Sequence, residues 1–230
     1  MEPLNETVSK RKIIFGILLL FIGGTVISLL IPKVLISYSL SLKIKFIVSR
    51  ILYCIMVLLM IWYAFKKEKQ DFLIWHDVKR SFNFYVIAII VIIVLISLSS
   101  ILIAFTLKQL HFNNDSKNGL KFFQLLKESH WLIYVSAITA GVTEELLFRG
   151  YLMPRLKILL KSSTSAIILS SLFFALLHYG WGTVNQIIGP FYIGCVFAVF
   201  YQKYRNIKVL IICHTLYDLI ALLGIVYFHR

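Results

Sequence analysis

The sequence is poor in charge and in acidic residues, and it has three cysteines. Only 15% of its 230 residues are charged and 60% are hydrophobic, which argues against a soluble domain and favours a membrane protein. Basic residues outnumber acidic ones by 24 to 10, but no nucleic-acid motif accompanies them, so we interpret them as loop residues facing anionic lipid. The three cysteines lack metal-ligand spacing and argue against a disulfide framework.

The sequence also lacks internal repeats and low-complexity linkers. It contains long apolar runs instead. These runs predict an all-α fold, a polytopic membrane helix bundle with about seven transmembrane helices, or eight if the run at 131–160 consists of two pieces. We interpret the first run as a retained helix, because it is longer than a signal-peptide core. The polar stretch 108–130 is expected to contain a short interfacial helix. The predicted spans are about 13–31, 46–65, 84–107, 131–160, 164–179, 186–202 and 208–228.

Rare polar residues divide the chain into two predicted domains. Residues 1–130 would be an N-terminal scaffold of three membrane helices plus a loop, and residues 131–228 a second membrane domain that carries the polar groups. Loops on the N-terminal side hold more lysine and arginine, Arg155 among them, which predicts a cytoplasmic N-terminus. We interpret Arg50 as a helix-end residue that extends to the membrane interface.

The stretch "EELLFR" places Glu144, Glu145 and Arg149 inside an apolar run. Each charge at mid-depth costs about 2.5–3.5 kcal/mol, so such a group needs a partner, water or a function. Glu145 and Arg149 are spaced i, i+4 and can pair on one helix face. Glu144 points about 100° away and is left free by that pair.

Two further polar pairs follow in "FFALLH" and "HTLYD". Phe174 shares a helix face with His178, and His214 shares one with Asp218, whose carboxylate could orient the imidazole or serve the same site. If 131–160 and 164–179 form a hairpin, Glu144 and His178 lie at similar depths of about 17 and 18 Å, whereas His214 lies only about 9 Å deep. The sequence leaves that mismatch open.

Proline and carboxylate chemistry add two expectations. Pro154 predicts either a kink near Gly150 or the start of a new helix.

A glutamate, two histidines and an acidic residue can activate water, with the histidines orienting it, stabilising an oxyanion or binding a metal. A zinc site built from Glu144, His178 and His214 is chemically reasonable, although the H-E-x-x-H pattern is absent.

Together the three motifs resemble the signature of the CPBP family of CAAX proteases and bacteriocin-processing enzymes. That signature is E-E-x-x-x-R, then F-x-x-x-H, then H-x-x-x-[N/D], and it makes 131–228 a catalytic CPBP-type domain. The resemblance implies an intramembrane endopeptidase in which Glu144 activates the attacking water. Glu145 and Arg149 would shape the site. The remaining implied site residues are His178 and His214, which hold the water or oxyanion, and Asp218, which supports His214.

The implied partners are the lipid bilayer and a membrane-associated peptide or protein substrate, without nucleic acid. Abundant Ile and Lys favour a bacterial plasma-membrane protein and make a prenylated substrate less favoured. Two alternatives stay open. A non-catalytic immunity or scaffold protein would retain the motifs without activity, and a proton-coupled transporter would use the same residues as a relay. The confinement of the polar groups to the second half argues against the transporter.

Overall fold

Every predicted apolar run forms a helix in the structure, a computed structural model that describes residues 9–31, 33, 40–112 and 116–228. Residues 1–8 of the predicted scaffold therefore lie outside the described residues. The helices within the described residues are α1 (Lys10–Leu30), α2 (Leu42–Glu68), α3 (Phe82–Gln109), α4 (Lys117–Glu128), α5 (Trp131–Leu160), α6 (Ser163–Leu176), α7 (Asn185–Tyr204) and α8 (Ile207–Phe228).

Six of these helices are long and apolar enough to cross a membrane, counted over the described residues. They are α1, α2, α3, α5, α8 and α6 extended through its following turn to Trp181. The predicted polytopic membrane helix bundle is confirmed. The predicted sixth span corresponds to α7, a helix of 20 residues with polar residues at both ends and Pro190 in its interior. It is less apolar than the other six and is not among the candidate spans.

Serine side chains begin four of the helices. Ser41, Ser81, Ser116 and Ser162 each accept a hydrogen bond from a backbone N–H of the first turn of α2, α3, α4 and α6. Such caps satisfy donors that have no partner within the helix. Because Ser41 caps α2, that helix begins at Leu42, earlier than the predicted start near 46.

Pro154 is accommodated inside a continuous helix rather than at a break between two. The first part of α5 is α-helical as far as Glu145, Leu146–Leu152 form a π-helical segment, and Met153–Leu160 are α-helical again. A proline ring would press on the carbonyl of residue 150 in a regular helix, and the wider π turn relieves that contact. A π-helical segment thus surrounds Gly150, where the sequence predicts a kink, and it directly follows Glu144 and Glu145.

Arg155, which was expected in a loop, is instead buried together with Glu68. Arg155 donates from Nε to Glu68 Oε2 at 2.7 Å, and its Nη2 lies 2.6 Å from the same oxygen. Tyr151 donates its hydroxyl to Glu68 Oε1 at 2.7 Å. Arg155 also donates to the backbone carbonyls of Phe72 and Asp71. The interpretation of Arg155 as a solvated loop charge is wrong, because a carboxylate 87 residues earlier neutralises it inside the bundle.

Glycine lets α5 and α8 approach closely. A Cβ on Gly141 would lie 2.9 Å from the Thr215 backbone nitrogen and 3.1 Å from the Ile211 carbonyl oxygen, and would also collide with the Thr215 hydroxyl. Small residues at such crossings are typical of helix pairs in membranes, where backbones pack directly against each other. This crossing sits one turn before Glu144 and one residue from His214 in the facing helix.

The amphipathic helix α4 confirms the predicted short helix in the polar connection and packs against the turn after α6. Ser116 donates to the Trp181 carbonyl at 2.5 Å, and Asn118 donates to the Gly180 carbonyl at 2.8 Å. The Phe122 and Trp181 rings meet edge to face at 5.4 Å. These contacts fix the short 3₁₀ turn Tyr179–Trp181, which follows His178 directly.

Candidate active site

Glu145 stands at the centre of the polar cluster and is fully buried. Its Oε1 accepts a hydrogen bond from Arg149 Nη1 at 3.0 Å and another from His214 Nδ1 at 2.8 Å. The Glu145–Arg149 pair predicted from the i, i+4 spacing therefore exists, with both side chains almost completely enclosed. A single carboxylate oxygen thus joins α5 to α8.

The contact with Glu145 fixes the orientation of the His214 ring. A carboxylate oxygen only accepts hydrogen bonds, so Nδ1 carries the proton and Nε2 faces the other way. Nε2 lies 3.7 Å from Glu144 Oε2 and 3.7 Å from Asp218 Oδ2. Unlike Glu145, these two carboxylates are partly accessible, with 20% and 29% of their side-chain surface exposed.

Two expectations about His214 can now be compared with the structure. The depth mismatch estimated from the sequence disappears, because the close crossing at Gly141 brings His214 beside both glutamates. The carboxylate that hydrogen-bonds the imidazole is Glu145 and not Asp218. Asp218 lies one turn further along the same helix and reaches the opposite ring nitrogen at a distance too long for a hydrogen bond.

His178 lies at the edge of this cluster, just past the end of α6. Its Nδ1 donates to the Phe174 carbonyl at 3.0 Å, which leaves Nε2 as the other functional ring atom. Within the described part of the chain, no ion pair or hydrogen bond joins His178 to Glu144, His214 or Asp218. Both imidazoles nevertheless pack against the Phe174 ring, His178 at 4.9 Å and His214 at 6.1 Å between ring centroids.

Aromatic rings enclose the buried side of the site. The Arg149 guanidinium lies over the Phe174 ring at 4.6 Å and over the Phe197 ring at 5.5 Å. The same two rings meet His214 at 6.1 and 5.8 Å. Phe174, the first residue of the second motif, thus contacts Arg149, His178 and His214, which explains why the motif contains an aromatic residue as well as a histidine. Rings at this position desolvate the ion pair and hold its cation in place.

The proposed zinc ligands do not converge. Over the described residues, no group of three or more His, Cys, Asp or Glu side chains is arranged to hold a metal ion. Glu144, His178 and His214 therefore do not form a metal site as they stand. A cavity of about 450 Å³ lies between the first turn of α2 and α4, and none of the six predicted site residues lines it.

Sequence reasoning missed one charged residue near the site. Arg50 is the single charged residue inside the first three apolar runs, so the signal was present, but its position near the predicted helix start concealed it. With α2 beginning at Leu42, Arg50 lies two turns inside the helix. Its guanidinium lies over the Phe46 ring, which packs against Phe122 at 5.5 Å, and Phe122 meets Trp181 of the turn that follows His178.

The comparisons with known proteins identify the segment that carries these residues. Residues 126–220 match the model of the family described as type II CAAX prenyl endopeptidase Rce1-like. The resemblance to CPBP proteases is confirmed. The match runs from the end of α4 to the second half of α8 and includes all three motifs. Neither the curated proteins nor the solved structures yield a match.

The Rce1-like match supports an endopeptidase role and implies membrane-associated protein substrates. Together with the six apolar helices, it supports an integral membrane protein. The family match covers the segment as a whole, and the roles proposed for individual side chains are argued from their contacts.

Proposed function

We propose that this protein is an intramembrane endopeptidase that hydrolyses a peptide bond of a membrane-associated protein or peptide with water activated by Glu144. The observation that carries the proposal is the position of the His214 ring. One nitrogen is hydrogen-bonded to the buried Glu145, and the other faces Glu144 and Asp218 at 3.7 Å each. A water molecule within about 2.6–3.2 Å of Nε2 would also be within reach of the Glu144 carboxylate.

In the proposed reaction, Glu144 takes a proton from this water while the water oxygen attacks the carbonyl carbon of the scissile bond. The carbonyl π electrons move to its oxygen, giving a tetrahedral oxyanion. When the intermediate collapses, the C–N bond breaks and the protonated Glu144 returns its proton to the departing amine nitrogen. The products are a carboxylic acid and an amine, the acid passes the second proton of the water to the amine to give a carboxylate and an ammonium, and Glu144 regains its starting charge.

Glu145 and Arg149 act through His214 rather than on the substrate. Arg149 pairs with Glu145 inside an apolar enclosure, and Glu145 holds the imidazole by Nδ1. This arrangement keeps Nε2 aimed at the position of the water, the pre-organisation that makes a polar site effective. We assign Asp218 to the accessible side of the same water.

His178 supplies the second imidazole of the proposed site. Its Nδ1 is used by the Phe174 carbonyl, so Nε2 is the atom that could donate to the oxyanion. The contact of α4 with the turn Tyr179–Trp181 holds the residue in this position from outside the bundle. We therefore place the oxyanion on the side of the site that faces this turn. The catalytic domain, residues 131–228, would then carry all the groups that touch the scissile bond.

Purified full-length protein in lipid nanodiscs tests the proposal. Native protein and Glu144→Gln are compared on a fluorogenic peptide that ends in a prenylated C-a-a-X sequence and on the same peptide without the prenyl group. Peptidomics of membranes from cells that express either protein extends the test to natural substrates. Lys208→Gln, an exposed change at the start of α8, is the matched control.

Cleavage by the native and Lys208→Gln proteins that disappears in a folded Glu144→Gln protein would support the proposal. Comparing the two peptides would then show whether a prenyl group is required. Cleavage retained in Glu144→Gln would remove Glu144 from the mechanism. A Glu144→Gln protein that restores the cellular phenotype of a deletion strain without cleaving anything would favour the immunity or scaffold reading.

A further inference from the structure

Tyr217 lies inside the third motif, between His214 and Asp218, and its hydroxyl is directed to another helix. The hydroxyl oxygen is 2.7 Å from Ser100 Oγ on α3. Ser100 donates its own proton to the Ile96 carbonyl, one turn earlier on α3, at 2.8 Å. Because a hydroxyl has a single proton to donate, Tyr217 is the donor to Ser100. A chain of two hydrogen bonds therefore runs from α8 into the backbone of α3.

The neighbouring serine on α3 shows that the contact with α8 is an additional one. Ser99 donates to the Leu95 carbonyl at 2.7 Å, as Ser100 does to the carbonyl one turn before it. Within the described residues, Ser99 forms no hydrogen bond to another helix. Hydrogen bonds of polar side chains between membrane helices hold the helices together, since apolar surfaces are solvated equally well by lipid.

Tyr217 belongs to the edge of α8 that faces α3. Cys213, one turn earlier on the same edge, has its Sγ 4.0 Å from the Ile89 carbonyl oxygen of α3. With 3.6 residues per turn, Tyr217 is about 60° from His214 and about 100° from Asp218 around the helix axis. A rotation of α8 about its own axis would therefore break the Tyr217 contact and turn His214 and Asp218 at the same time.

The opposite edge of α8 is fastened to α5, but this contact does not reach Asp218. Gly141 crosses α8 closely at Thr215, and Glu145 holds the His214 ring by Nδ1. Asp218 makes no hydrogen bond within the described part of the chain, and its Oδ2 lies 3.7 Å from His214 Nε2. The direction of this carboxylate thus depends on how the backbone of α8 is turned.

We propose that Tyr217 is a positioning residue whose hydrogen bond to Ser100 holds α8 in the rotation that aims His214 Nε2 and Asp218 at the attacking water. The proposal rests on the proposed endopeptidase function and deepens it, because it makes α3, a helix outside residues 131–228, part of the control of the site. Tyr217 acts through α8 and does not touch the substrate. A small misplacement is sufficient to slow such a reaction, since the reacting atoms must be held within a narrow range of distances.

Three variants and two matched controls isolate this hydrogen bond. Tyr217→Phe removes only the donor hydroxyl, Ser100→Ala removes the acceptor, and the double variant removes both. Tyr63→Phe is the control for the tyrosine, since its hydroxyl donates to the Lys12 carbonyl at 2.8 Å and joins α1 to α2. Ser99→Ala is the control for the serine, because it removes the same kind of bond within α3 and no bond to α8.

The first measurement is cleavage by full-length proteins in nanodiscs, well below the unfolding temperature of each variant. We expect kcat to fall by about 10- to 100-fold in Tyr217→Phe and in Ser100→Ala, with KM within about 2-fold of the native value. The double variant should lose no more than either single variant, since each of them already breaks the same bond. Both control variants should keep a native-like kcat.

The second measurement needs no cleavage and follows the hydrogen bond between His214 and Glu145. In protein with isotope-labelled histidine, the Nδ1–H signal of His214 is identified by its absence in His214→Asn, and its exchange with deuterium is measured by NMR. A helix that rotates more freely opens this bond more often. We therefore expect exchange to be about 10-fold faster in Tyr217→Phe and Ser100→Ala and native-like in both controls.

A native-like kcat in Tyr217→Phe or in Ser100→Ala would overturn the proposal. A double variant in which the two losses multiply would also overturn it, since the residues would then act independently. The same conclusion would follow from a lower kcat with a native rate of His214 exchange, because α8 would not have turned. If native protein cleaved no peptide, the endopeptidase function would fail separately. In that case faster exchange in Tyr217→Phe would still support the positioning role, and native exchange would overturn it.

Discussion

Glu145 Oε1 lies 2.8 Å from His214 Nδ1 and 3.0 Å from Arg149 Nη1, so one buried oxygen holds both an imidazole and a guanidinium. The neighbouring carboxylate, Glu144, has no arginine partner among the residues that the structure describes and keeps part of its surface accessible. Adjacent glutamates thus have different surroundings. Glu145 is enclosed and holds the His214 ring by Nδ1. Glu144 faces Nε2 of the same ring and is the carboxylate that we propose reacts.

This difference predicts opposite consequences for the two alanine variants. Glu145→Ala leaves the buried Arg149 unpaired and should lower the free energy of unfolding by about 3–5 kcal/mol. Glu144→Ala removes a partly accessible side chain that faces His214 Nε2 at 3.7 Å and leaves the His214–Glu145 hydrogen bond in place, so it should change stability by less than about 1 kcal/mol while abolishing cleavage. Thermal unfolding in nanodiscs and cleavage rates on one protein preparation measure both effects. Equal destabilisation by the two variants would contradict the assignment of separate roles.

His178→Phe tests the second imidazole without removing its packing. The phenylalanine keeps an aromatic ring against Phe174 but has no nitrogen to donate to an oxyanion. We expect a folded protein whose kcat falls by about 100-fold or more. The control is His130→Phe, the same replacement at a histidine that stacks on Tyr227 outside the site. A native-like kcat in His178→Phe would show that this residue only packs.

The sequence was sufficient for the helices and for the identity of the clustered residues, since both depend on local patterns. Apolar runs set the spans, and the i, i+4 spacing correctly paired Glu145 with Arg149. The local sequence patterns do not predict which residues of different helices contact each other. Helix-face reasoning relates His214 to Asp218 on one helix, but the Glu145 partner comes from a helix 69 residues away.

Distance along the chain also explains the misplaced charges. Glu68 and Arg155 each resemble a loop residue when viewed alone, and only their meeting across the bundle makes both buried. Arg50 looked like a helix-end residue because the serine cap at Ser41, which extends α2, carries a weaker signal than hydropathy. The contact between Glu68 and Arg155 depends on three-dimensional packing, which a periodicity does not encode, whereas the Ser41 cap is a local contact that a hydropathy pattern does not include.

The pair of Glu68 and Arg155 is expected to stabilise the bundle without taking part in catalysis. Arg155→Met leaves Glu68 buried and unpaired, so the free energy of unfolding should fall by about 3–5 kcal/mol. The double variant Glu68→Leu/Arg155→Met removes both charges and should recover most of that loss. Lys66→Gln, an exposed change two residues from Glu68, serves as the control.

Thermal unfolding measures the stabilities, and kcat per folded protein separates the two roles. We expect kcat to stay native-like in the double variant, because the network lies outside the cluster around His214. If kcat per folded protein fell in parallel with stability in both variants, the network would be acting on the site itself.

Gly141 sets the distance between the two helices that carry Glu145 and His214. Gly141→Ala puts a methyl group 2.9 Å from the Thr215 backbone nitrogen, so α5 and α8 must separate. We expect a stability loss of about 1–3 kcal/mol from overpacking. We also expect a fall in kcat of about 100-fold, because a displacement near 1 Å is enough to misplace His214 relative to Glu144.

Gly224→Ala is the matched control on α8, since a Cβ there meets no atom within 4 Å. It should leave kcat native-like and stability equal or slightly higher, as helical Gly-to-Ala changes do in open positions. Cleavage is measured well below the unfolding temperature of each variant, so that the folded fraction is not limiting. Adding Thr215→Ala to Gly141→Ala removes the hydroxyl that the new methyl meets and should restore part of kcat. A Gly141→Ala protein with native-like kcat would show that the catalytic geometry does not depend on this helix crossing.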